Sequence, residues 1–146
     1  MLAGVVMAAT VTRKGQRNRK GQQNYSIVYK GYFKIPEIVL NHPDFIALSG
    51  TAMKLLCDLG AQYNGKNNGD LQFTTSIMKS RGWNSESQKL KALKELQERE
   101  IIVKTRQGGL GIGPTLYAIT WQPIDDCKGK HDLAVTGKPY RKFSEP

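Results

Sequence analysis

A chain of 146 residues with 39% apolar side chains is long enough for one domain with a real hydrophobic core plus tails. Its formal charge of +10 favours a polyanionic partner. Cys57 and Cys127 have no Cys-x-x-Cys spacing and make no disulfide framework, and with only His42 and His131 beside them the four ligands of a structural zinc site are lacking.

The opening "MLAGVVMAAT" is apolar, but its charges follow the apolar run, the wrong order for a signal peptide, and the run is too short to span a membrane. Met1 and Met7 are both possible starts. A cytoplasmic location is expected. Residues 1–34 hold seven basic side chains and no acid, whereas residues 35–122 hold ten basic and eight acidic ones. The charge excess is therefore an arm, residues 1–24, too polar to fold alone. Its cations Arg13, Lys14, Arg17, Arg19 and Lys20 suit phosphates or an adjacent minor groove.

The domain is expected over residues 25–122. "YSIVYKGYFKIP" is rich in aromatic and β-branched residues and reads as a strand before Pro36. "PEIVLNH" reads as a short helix with Pro36 at its first position and Pro43 after its end. In "SGTAMKLLCDLGAQYNG", Ser49 is a cap, and Ala52, Leu55, Leu56, Leu59 and Tyr63 keep helical spacing, with Cys57 expected inside as a small hydrophobe. "NGKNNG" then stops and turns the chain.

"DLQFTTSIMKSRG" predicts two or three extended residues and a helix of barely two turns, capped by Thr74 or Thr75 and ended by a left-handed Gly82. A longer helix restarts at once in "NSESQKLKALKEL". Ser85 with Gln88 has the capping-box pattern. Leu90, Leu93 and Leu96 are expected on the buried side, with Glu86, Gln88, Lys89, Lys91, Lys94, Glu95 and Glu98 outside. "IIVKTRQ" and "TLYAITWQ" predict a hairpin around the tip "GGLGIGP", closed on the core by Leu116, Tyr117, Ile119 and Trp121. Residues 123–146 show little periodicity and are expected to be an irregular tail.

This order is that of a winged helix-turn-helix, an α+β fold with a three-helix core and a C-terminal β-hairpin wing. Two helices joined by a tight Gly-containing corner let the second enter the major groove. "LSGTAMKLLCDLGAQYNGKNNGDL", "SIMKSRGWNSESQKLKALKELQEREIIVKTRQGG" and "PTLYAITWQPIDDC" also carry a family resemblance. Between Phe45 and Cys127 the chain resembles helix-turn-helix proteins of proteobacterial phages and mobile elements, and is similar to the winged-helix domains of plasmid and phage replication initiators. The resemblance implies binding to double-stranded DNA, in transcription regulation or DNA replication.

On the longer helix Ser85, Ser87, Gln88 and Lys91 are the candidates for DNA contact: Gln can bond adenine, Ser a base or a phosphate, and Lys a guanine or a phosphate. Lys79 and Arg81, ending the short helix, and Lys104 and Arg106, on the hairpin, are the candidates for phosphate. Glu86, Glu95, Glu98 and Glu100 oppose a helix lying along the groove, so only its N-terminal end is expected to enter. "GGLGIGP" lacks the Gly-Lys-Ser/Thr of a phosphate loop, and no catalytic set is present, so neither cofactor nor enzymatic activity is expected. Because the central region is near neutral, a protein–protein module docking on a replication or recombination assembly is the alternative. A homodimer is equally open. A third option, single strands or RNA, would stack bases on Tyr25, Tyr29, Tyr32 and Phe33.

Overall fold

The computed structural model describes residues 31–144, so the basic arm lies outside the described residues. Among the described residues, five α-helices and an antiparallel strand pair give an α+β arrangement. Residues 31–36 form no strand, and residues 25–30 of that expectation lie outside the described part. Instead Phe33 packs on Trp121 with ring centroids 5.9 Å apart, and Trp121 Nε1 donates to the Lys34 carbonyl.

Pro36 is the N-cap of α1 (Glu37–Leu40), not its first residue, and Pro43 opens a second one-turn helix, α2 (Pro43–Ile46). The missing proline N–H costs nothing at a helix start, which is why both prolines punctuate here. α3 (Gly50–Gly60) begins as expected: Ser49 Oγ accepts the Ala52 N–H at 3.1 Å. Ala52, Leu55, Leu56 and Leu59 are fully buried.

Cys57, expected inside, is exposed. It lies about 140° round the helix from Ala52, off the apolar stripe. The half-buried Cys127 is the inert thiol: burial, with Asp70 and Asp125 nearby, pushes its pKa up to about 11. At pH 8 roughly one Cys127 in a thousand is a thiolate, the reactive form. Iodoacetamide labelling mapped by mass spectrometry should therefore modify Cys57 at least about tenfold faster than Cys127 in the native protein. Equal rates would show that the segment around Cys127 opens.

The turn after α3 is built on side chains. Asn67 Oδ1 accepts the Asn64 N–H, and the fully buried Asn68 reaches across to Ile119 and Pro123. Gly69, at φ +129°, leaves no room for a Cβ, which would strike the His131 ring. Leu71 then pairs antiparallel with Tyr117, its N–H and carbonyl both bonded. β1 (Ile102–Arg106) and β2 (Leu116–Ile119) form the hairpin, registering Ile102 with Ile119 and Lys104 with Tyr117. A bulge at Thr105 lets its hydroxyl donate to the Gly69 carbonyl. With β1 on one edge and Leu71 on the other, all four residues of β2 are buried. Leu116, Tyr117, Ile119 and Trp121 are in the interior, as expected.

Residues 123–144 are irregular apart from a 3-10 turn at Cys127–Gly129, yet they pack on the domain. Ile124, His131 and Phe143 are buried. Arg141 bonds Asp44 at 2.6 Å and the Arg99 carbonyl at 2.7 Å, tying the end of the chain to α2 and to the helix that precedes β1. No helix among the described residues is long and apolar enough to cross a membrane.

Candidate nucleic-acid interface

α4 (Thr75–Ser80) and α5 (Glu86–Glu98) meet at the corner "RGW". Gly82, at φ +92°, donates to the Lys79 carbonyl, and Trp83 donates to that of Met78. These two bonds are a Schellman ending, completed by burial of the side chains of Met78 and Trp83. The glycine turns the chain, and the tryptophan anchors it.

The anchor is electrostatic as well as apolar. Asp58 of α3, only 5% exposed, accepts Trp83 Nε1 at 2.6 Å, Arg81 Nε at 3.0 Å and Lys54 Nζ at 2.7 Å. Lys54 also donates to the Arg81 carbonyl and sits over the Trp83 ring. Burial pushes the Asp58 carboxyl up, but the hydrogen bonds from Lys54, Trp83 and Arg81 outweigh it and hold the pKa below the ordinary 3.8. Sequence reading missed Asp58. Its signal was a lone acid amid "LLCDLG", four residues after a lysine.

α5 starts as expected, with Ser85 Oγ accepting the Gln88 N–H at 3.3 Å. The return half of the capping box does not form, so the Gln88 side chain stays free among the described residues. Ser87, Gln88 and Lys91 are exposed. Ser85 is half-buried and occupied as the cap, with its oxygen 3.1 Å from Ser87 Oγ. Lys79 and Lys91 are exposed and have no ion pair among the described residues.

Two expected phosphate ligands are engaged elsewhere. Arg81 is held to Asp58, although its side chain remains 45% exposed. Arg106 is not free: its guanidinium donates to the carbonyls of Pro114 at 2.8 Å and Lys130 at 3.1 Å, bracing the tip end of the hairpin against the C-terminal segment. Lys104 is exposed, its ammonium on Gln107 Oε1. Arg13, Lys14, Arg17, Arg19 and Lys20 lie outside the described residues.

One acid of α5, Glu86, stands in its first turn, and each of Glu86, Glu95 and Glu98 has a partner. Both Glu95 oxygens are taken by Ser49, its N–H at 2.6 Å and its hydroxyl at 2.8 Å, so this side chain caps α3. Glu86 pairs with Lys89 at 3.0 Å, and Glu98 lies near Lys94 at the far end. Lys89, expected outside, is buried, with its ammonium on the Phe73 carbonyl at 2.8 Å. Leu90, expected inside, is 51% exposed. The two corrections have one cause. Leucines spaced by three precess by about 60° per step, so Leu90, Leu93 and Leu96 span about 120° of arc. The core takes the last two with Lys89 and Ala92, and Leu90 falls off the edge.

Leu90 faces a shallow cleft of about 200 Å³ between α5 and the hairpin, lined also by Phe73, Leu93, Pro114 and Tyr117. Beyond it, the hairpin tip carries no charge from Gly108 to Thr115, but shows a fully exposed Leu110 and a 62% exposed Ile112. Of the aromatics suited to stacking, Phe33 is half-buried against Trp121, while Tyr25 and Tyr29 lie outside the described residues. No cluster of three metal-ligating side chains occurs among the described residues. No protein-family model matches the chain, and neither a curated protein nor a solved structure matches it significantly.

Proposed function

We propose that this protein binds double-stranded DNA as a winged helix-turn-helix, acting in transcription control or replication of a phage or other mobile element. The fold reading draws support from the succession α3, Leu71, α4, α5, β1 and β2, with Leu71 laid on β2 as a third short strand. The observation that carries the function is the N-terminal half of α5. Ser87, Gln88 and Lys91 stand there exposed, on a helix whose entry is fixed by the Schellman corner and by Asp58. A helix N-terminus also favours phosphate through its free N–H groups. The biological setting rests on the motif resemblance.

The test is a salt titration of binding to a random duplex, with the full chain and with a version starting at Asn24. If Lys79, Lys91 and Lys104 each meet a phosphate, the shortened protein retains a log–log slope near about −2.7, at about −0.9 per contact. Lys91→Glu should then weaken binding about tenfold and flatten the slope by about one. Loss of all binding on trimming would confine the electrostatic footprint to the arm and overturn the reading.

The apolar tip favours a second reading, docking to a protein. Ser at both Leu110 and Ile112 would abolish such docking while leaving the salt-dependent duplex binding intact.

A further inference from the structure

The geometry points to Leu90 as a base-specificity residue that reads the 5-methyl group of a thymine in the major groove. This rests on the reading of α5 as a DNA-entering helix and adds what it reads. Leu90 is half-exposed although the core beside it holds Leu93 and Leu96, and the buried position next to it goes to Lys89. A leucine left out while a lysine goes in is an unfavourable exchange for folding alone. The buried lysine is accommodated by the Phe73 carbonyl and Glu86, which satisfy its ammonium.

The neighbours identify the occupant. Leu90 is three residues after Ser87 and adjoins Lys91, placing it on the hairpin side of the same exposed turns. Exposed Lys91, the next residue, has no ion pair among the described residues and supplies positive charge beside the leucine, and exposed Lys79 at the end of α4 adds to it. The matching surface is therefore polyanionic yet apolar at one point. In duplex DNA the thymine methyl is that point, the one apolar group that the major groove offers among donors and acceptors. Leu90 borders the cleft between α5 and Pro114, so its side chain is not covered by the hairpin.

The experiment uses the full chain. A randomised duplex pool is selected for binding, and in the enriched duplex each thymine is replaced singly by deoxyuridine, which keeps pairing and removes only the methyl. Dissociation constants are read by fluorescence anisotropy for the wild type and Leu90→Ala, with melting curves confirming that both are folded. One or two replacements should weaken the wild type about fourfold, the worth of one buried methyl, and the ratio should fall to about one in Leu90→Ala. Uniform tolerance of deoxyuridine, or discrimination that persists in Leu90→Ala, overturns the assignment while leaving DNA binding in place. Failure to enrich any duplex, together with no salt-dependent binding, overturns the underlying reading and this inference with it.

Discussion

Replacing Asp58 with Ala is expected to lower stability by about 3 kcal/mol and the melting temperature by about 15 °C, measured by urea and thermal unfolding. The carboxylate is buried and accepts from the Trp83 indole, Arg81 and Lys54. Lys54 and Arg81 are about half-exposed, so water recovers much of what they lose and their share is small. The indole N–H has no such recourse, and an orphaned buried donor costs about 1–3 kcal/mol. Trp83→Phe in the Asp58→Ala background removes that donor, and the cycle should show coupling of at least about 1 kcal/mol.

The pH dependence has a definite sign. The pKa values of Asp58 and Asp44 are both depressed, Asp58 as described and Asp44 chiefly through its hydrogen bond from Arg141. Each therefore stabilises the fold fully above the ordinary 3.8 and loses that contribution as pH falls through its lower folded value. The gap between wild type and Asp58→Ala should narrow below pH 3.8. A gap under about 1 kcal/mol at pH 7 would mean that Trp83 holds the corner by packing alone.

How much of this was legible depended on whether the deciding partner was near in sequence. Ser49 and its apolar stripe, the Gly82 stop, the Ser85 cap and the hairpin core are local or periodic, and each was readable from a few residues. Arg81 and Arg106 were chosen for charge and position, but Asp58 and Lys130 lie more than twenty residues away, and the nearer partner of Arg106 is the Pro114 backbone carbonyl, which no side-chain pattern marks. The C-terminal segment carried no period because it docks by single side chains, His131, Arg141 and Phe143, and by backbone bonds. For α5 the helix itself was legible and its rotation was not. Three leucines spaced by three span about 120°, and tertiary packing rotated the buried arc toward Lys89 and Ala92, leaving Leu90 at its edge.

Asn68→Ala should cost about 3 kcal/mol while leaving duplex affinity within about twofold below the melting temperature. Fully buried, the Asn68 amide imitates a strand: Oδ1 accepts the Ile119 N–H at 2.7 Å, and Nδ2 donates to the carbonyls of Ile119 at 3.0 Å and Pro123 at 2.9 Å. Alanine strands three backbone groups, and one entering water restores only part of their bonding. Asn68→Asp separates hydrogen bonding from shape. At pH 7 it turns the donor into a charge facing two carbonyls, so it should be at least as damaging as Ala. Burial should raise that carboxyl, and the deficit relative to wild type should shrink as pH falls and the proton returns a donor. A deficit that is flat with pH would assign the role of Asn68 to packing. The affinity arm follows from position, because Asn68 grips the end of β2 that leads into Pro123, whereas the tip with Leu110 and Ile112 and the first turns of α5 lie toward the other end. A folded Asn68→Ala protein that binds duplex much more weakly would show that this anchor, by fixing the hairpin, also sets how the hairpin stands beside α5.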